Sequence, residues 1–150
     1  MNMPFFENIN EIGHFTPHFS FLYLLLFALY NNSQLYLYIT LITFIDYGII
    51  GPASKSFCQF TNLHSPRPRF PHMNGMPSGH TQLMWMLFMF FYFMNSNKFH
   101  TYMFGILAIY IAFQRIYTGM HTPLQVLIGG LLGCSFGYLW YVLYISLNIQ

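Results

Sequence analysis

The chain has 150 residues, of which 55% are hydrophobic and 5% charged, with a net charge of +2. A soluble domain carries about 25% charged residues, so this composition leaves a soluble surface uncovered and indicates one integral-membrane domain over residues 1–150. Glu7, Glu11 and Asp46 are the only carboxylates, which excludes carboxylate-pair glycosidases, carboxylate-bridged two-metal centres and EF-hands, and the small net charge gives no reason to expect nucleic acid.

A spanning helix needs about 20 apolar residues. Phe19 to Tyr30 is the first candidate, with room to extend back toward Phe15. No Lys or Arg precedes Lys55, so the basic start of a cleaved signal peptide is missing and none is expected. After a polar turn at Asn31 to Gln34, Leu35 to Ile50 forms the second helix, with Asp46 inside it. Gly51 to Gly79 reads as one long irregular stretch, rich in Pro, Ser, His and Asn. His80 to Met94 is the third helix, Phe99 to Phe113 the fourth and Pro123 to Leu147 the fifth. The expected fold is therefore all-α: a polytopic membrane bundle of about five transmembrane helices with the active site at one membrane face. Cys58 and Cys134 form no CxxC, and no disulfide is expected.

If the segments alternate in direction, the Gly51–Gly79 stretch and the loop from Gln114 to Thr122 share a face. Lys55, Arg67, Arg69, His80, Arg115 and His121 converge there. Each has a bland reading, as a snorkelling cation, a helix cap or a packing histidine. Together they suit an anion. Ser78 and Gly79 open a helix whose free N–H groups and positive dipole end attract phosphate. Arginine forks match phosphate oxygens. Thr122 and Pro123 suit the N-cap and first position of the last helix, which fixes His121 at a second helix mouth. Gly129, Gly133 and Gly137 form a small-residue stripe on that helix, for close packing or for a homo-oligomer. Asp46 is a candidate ion-pair partner for Lys55 or Arg115.

Arg67-Pro68, Pro77-Ser78-Gly79-His80 and Arg115-x5-His121 resemble the three-part signature of the type-2 phosphatidic-acid phosphatase superfamily, which includes vanadium haloperoxidases. "GMPSGHTQLMW" from Gly75 and "HTPLQVLIGG" from His121 resemble its dolichyldiphosphatase branch. The resemblance implies a nucleophile at His121, a general acid and base at His80, and phosphate contacts from Arg67, Arg115, Ser78 and the Gly79 N–H. It implies no cofactor and no metal, a lipid phosphate or diphosphate as substrate, with dolichyl or polyprenyl diphosphate the first choice, and a multi-pass protein of the endoplasmic reticulum or another internal membrane. The lipid bilayer is the other expected partner.

Two positions depart from the superfamily pattern. Its Lys, seven residues before the Arg, falls here on Phe60; Lys55 and Arg69 are the cations available for that charge. Its Asp, four residues after the nucleophile, is Gln125, whose carbonyl can still orient the ring, and Thr122-x-x-Gln125 also fits a capping box. Two other readings compete: a serine hydrolase on Ser78, which lacks the G-x-S-x-G elbow and a suitable acid, and a catalytically weak or inactive structural or lipid-binding protein of the same fold.

Overall fold

A computed structural model describes residues 4–63 and 65–147, with side chains from Gly13 onward. The described residues fold as helices α1 (Pro4–Asn31), α2 (Gln34–Ile45), α3 (Gly51–Phe60), α4 (Gly79–Met94), α5 (Lys98–Tyr117) and α6 (Pro123–Ser146). A π-helical turn, Asp46–Ile50, joins α2 to α3, so Gln34–Phe60 is one continuous rod of 27 residues. The bundle therefore has five rods among the described residues. Two of them, Gln34–Phe60 and Pro123–Ser146, are long and apolar enough by length and composition to cross a membrane.

The rods follow the expected order, but three boundaries move: α5 runs past the expected Phe113 to Tyr117, so Arg115 lies in its last turn and not in a loop, and the other two moves involve a proline. The second helix is expected to end at Ile50, yet it continues through Pro52 to Phe60, and with α4 starting at Gly79 the irregular stretch is eleven residues shorter than expected. The Gly51 N–H reaches back to the Asp46 carbonyl, a wider turn than the α-helical one. It carries the chain past Pro52, whose ring and missing N–H would break a regular ladder. The first helix starts well before Phe15 and contains Pro17. Pro17 has no N–H for the carbonyl of Gly13, four residues back, and that carbonyl accepts from Arg115 Nη2 at 2.7 Å instead.

α4 is the central rod. Leu83, Met84, Met86, Leu87, Phe90 and Phe91 are all fully buried, with Leu24, Ile39, Phe104 and Ile111 from the surrounding helices. Its closest neighbour is α6, through the glycine stripe. A methyl group on Gly129 would lie 2.6 Å from the Ser78 carbonyl oxygen, and one on Gly137 2.5 Å from that of Met86; Gly133 lies equally tight against Gln82. The stripe expected to serve packing or a homo-oligomer is thus taken up by α4 of the same chain. The outward faces carry large apolar side chains, among them Phe19, Leu26, Leu41, Ile106, Phe113 and Leu131.

Polar groups collect at the two ends of the bundle. At one end His100 bonds the hydroxyls of Tyr23 (2.7 Å) and Tyr36 (3.1 Å) and stacks on Phe91. The other end gathers the groups described next. Between the ends, buried Asp46 meets Gln82, whose Nε2 donates to Asp46 Oδ1 at 3.1 Å. That amide takes the place of the Lys55 or Arg115 ion pair expected for Asp46.

Candidate active site

The loop between α3 and α4 folds back on itself before α4 begins. The Arg67 N–H donates to the Met73 carbonyl and the Gly75 N–H to that of Ser65. Asn74 ties this loop to α3, since its Nδ2 donates to the Lys55 carbonyl at 3.2 Å. Its own carbonyl accepts from Arg67 Nε at 3.4 Å. Asn74 was absent from the expected site; it fastens the backbones that carry two cations and is not among the residues lining the cavity they share. The loop before α6 is held similarly: the His121 N–H donates to the Arg115 carbonyl and the Arg69 N–H to that of Gly119.

The result is a cavity of about 440 Å³ lined by His14, Tyr47, Gly51, Pro52, Lys55, Arg67, Gly79, His80, Arg115, Met120 and His121. Six residues expected from sequence therefore meet: Lys55, Arg67, Gly79, His80, Arg115 and His121. Lys55 reaches the cavity because α3 continues the second rod, which compensates for its distance from Arg67 in sequence. A methyl group on Gly79 would meet no protein atom within 4 Å, so the missing side chain keeps open space at the start of α4.

Two candidates lie elsewhere. Ser78 is fully buried, and its hydroxyl pairs with that of Thr81 at 2.9 Å. Its N–H donates to the Gln125 carbonyl. Ser78 thus joins α4 to α6 and does not line the cavity, and the phosphate contact expected of its hydroxyl is not formed by this arrangement. Arg69 is exposed, with its guanidinium over the Phe70 ring. Lys55, not Arg69, is the third cation of the cavity.

Gln125 is the junction of the site. Its Oε1 accepts from His121 Nδ1 (3.1 Å) and from the Thr122 N–H (3.1 Å). Its Nε2 donates to the carbonyls of Ser65 (3.1 Å) and Pro66 (2.9 Å) and to the Ser65 hydroxyl. These partners allow only one orientation of the amide, because a flip would face N–H against N–H and carbonyl against carbonyl. The capping box with Thr122 is also present, so cap and ring support are one structure. Gly75 makes room for it, since a side chain there would collide with the Gln125 amide.

This bonding fixes the chemistry of His121. An amide oxygen can only accept, so Nδ1 carries the hydrogen and Nε2 keeps its lone pair. Burial first, then the positive charges of Arg67, Lys55 and Arg115, hold the His121 ring down at about 3, against the Gln125 hydrogen bond, which raises it. Arg67, in the loop, is lowered by burial from its usual range; an arginine starts so high that it remains a cation. The cavity thus holds a neutral imidazole nitrogen, with its lone pair available, among cations. In the ligand-free protein, labelled His121 is expected to remain the neutral Nδ1–H tautomer by NMR from pH 8 down to about pH 5, more than a unit below a free imidazole. A midpoint near the free value would contradict the burial and charge described here.

His80 sits in the first turn of α4. Its Nε2 donates to the His14 carbonyl at 3.3 Å, and Tyr47 meets its ring edge-on at 5.7 Å. Arg115 is fully buried, and its Nε has no partner among the described residues. A buried guanidinium donor left open is costly, and a bound anion would satisfy it.

Residues 45–148 match the family model of the PAP2 superfamily. Dolichyldiphosphatase 1 of Homo sapiens is 33% identical, the match covering 53% of this chain and 43% of that protein. Dolichyldiphosphatase 1 of Rhinolophus ferrumequinum is also 33% identical, over 51% of this chain and 39% of its own length. The matched stretch is under half the length of either relative. No solved structure matches the chain.

Proposed function

The chain belongs to the PAP2 superfamily, and from that premise we propose that it is a membrane-embedded lipid phosphatase acting through a phosphohistidine on His121. Similarity to two dolichyldiphosphatases favours dolichyl or another polyprenyl diphosphate as substrate. The observation that carries the reading is His121 itself. Its Nδ1–H is engaged by Gln125 and its other nitrogen has no partner among the described residues, in a cavity shared with Lys55, Arg67, Arg115 and His80.

In the first step the Nε2 lone pair of His121 attacks the terminal phosphorus. The bond from phosphorus to the leaving oxygen breaks, and His80, which starts as the imidazolium with its Nε2–H on the His14 carbonyl, supplies its Nδ1 proton to that oxygen. In the second step His80 takes a proton from water, the water oxygen attacks phosphorus, and the phosphorus–nitrogen bond breaks to give phosphate. His80 and His121 return to their starting states. Lys55, Arg67 and Arg115 neutralise the non-bridging oxygens and so supply the positive charge for which other phosphatases use metal ions. The N–H groups of the first turn of α4, from Gly79 on, add donors at the positive end of a helix. Dividing one displacement into two by a covalent step is the usual gain of nucleophilic catalysis.

A bilayer is the setting the outer surface suits. Phe19, Leu26, Leu41, Ile106, Phe113 and Leu131 all leave large apolar side chains more than half exposed, a surface costly in water and favourable in lipid. All five rods would span, with the cavity at one interface where a headgroup can enter while its tail stays in lipid. The endoplasmic reticulum or another internal membrane fits a dolichyl substrate.

The test is phosphate release by the purified chain in detergent micelles containing a polyprenyl diphosphate, with chelator present. Release blocked by vanadate, a phosphate mimic, is the expected result. Absence of release from polyprenyl diphosphate, polyprenyl phosphate and phosphatidic acid alike would leave the inactive-relative reading in its place.

A further inference from the structure

His14 lines the cavity yet lies on α1, outside the matched residues 45–148. Its ring stacks against His80, with centroids 6.0 Å apart and planes 30° from parallel. Its other ring contacts are with Phe15 and His18. The ring is exposed on the cavity side, but the backbone beneath it is pinned. The Gly13 carbonyl, freed by Pro17, accepts from buried Arg115. Gly13 lacks a Cβ where one would collide with the Gln114 side chain. The His14 carbonyl accepts from His80. Three features of α1 thus hold one imidazole beside the acid without spending its own N–H on a protein partner among the described residues.

We propose that His14 binds the leaving phosphoryl group of a lipid diphosphate and so favours diphosphates over monophosphates. This rests on the phosphatase reading above. In a phosphoryl transfer the attacking and leaving oxygens lie roughly in line. His121 defines the attacking side and His80 the leaving side, so whatever follows the leaving oxygen passes next to His14. In a monophosphate ester that is a carbon chain. In a diphosphate it is a second phosphoryl group with its own oxygens. An imidazole N–H can donate to such an oxygen and gives nothing to a methylene. His14 is therefore a specificity residue, and His80 remains the proton carrier.

The experiment measures kcat/KM of the whole chain in detergent on polyprenyl diphosphate and polyprenyl monophosphate of one chain length, for the parent, His14→Ala and His14→Gln. A hydrogen bond to a charged group corresponds to roughly a tenfold or larger loss when removed. His14→Ala is expected to lose about that factor on the diphosphate and less than about twofold on the monophosphate. His14→Gln, which keeps an N–H, should recover most of the loss. Should the monophosphate not be turned over, its inhibition constant takes the place of its kcat/KM. Equal losses on both substrates would make His14 a support for His80, and no loss on either would leave it without a role; both overturn the proposal. A parent inactive on both substrates, and on phosphatidic acid, overturns the phosphatase reading itself and this inference with it.

Discussion

His121→Ala is expected to lower phosphate release from a lipid diphosphate by at least about 10⁴-fold, since deleting a nucleophile removes the covalent route and leaves only binding and charge neutralisation. The fold should tolerate the change. His121 takes part through one side-chain bond, to Gln125, and its backbone N–H bond to the Arg115 carbonyl survives in alanine. Retained thermal stability with lost turnover is therefore the expected pair of results. Comparable turnover in the variant would remove the phosphohistidine from the mechanism. Loss of both stability and turnover would assign His121 a packing role instead.

The second large effect is expected at Gln125. Its amide meets His121, Thr122, Ser65 and Pro66 at once. Gln125→Leu removes all of these and leaves buried donors and acceptors unpaired, each costing about 1–3 kcal/mol. Stability and turnover should fall together, by several kcal/mol and by at least about a hundredfold respectively, if half of the stability loss also appears in the barrier. Gln125→Glu separates the two halves of the amide. One carboxylate oxygen can still accept from His121 and Thr122, while the other faces the Ser65 and Pro66 carbonyls with no proton to give. That variant should lose the loop that carries Arg67 more than it loses the ring orientation, so KM should rise more than kcat falls. Urea unfolding with steady-state kinetics on both variants would show this. If Gln125→Glu were as active and stable as the parent, the bridge to Ser65 and Pro66 would carry no weight.

Much of the site could be read from the order of residues. Arg115 in the last turn of α5, His121 and the Thr122-Pro123 start of α6 are separated by only a few residues, so spacing alone puts them together. Gly79 and His80 open a helix whose apolar run is unmistakable. What could not be read depended on backbone that breaks the usual rules. Lys55 seemed displaced because the superfamily's lysine position falls on Phe60, five residues later in the chain. The π turn at Asp46–Ile50 carries the rod onward and delivers Lys55 to the cavity. His14 read only as a poor metal partner for His18, not as a site residue, because Pro17 and a weakly apolar start obscured the helix that begins at Pro4. Ser78 misled in the other direction. A hydroxyl before a helix suggests a cap or a ligand, but α6 packs so closely at Gly129 that Ser78 is enclosed, and Thr81 is its partner. The glycine stripe was legible as a close contact, and its partner, α4, follows only from the three-dimensional packing.

The phosphohistidine itself gives the most direct test. The chain would be mixed with a polyprenyl diphosphate carrying ³²P on its terminal phosphorus, quenched in alkaline denaturant within the first turnovers, and mapped by mass spectrometry. The account predicts label on His121, stable to base and lost in acid, and none in His121→Ala. Label on another residue, or full turnover with no labelled protein at any quench time, would contradict it.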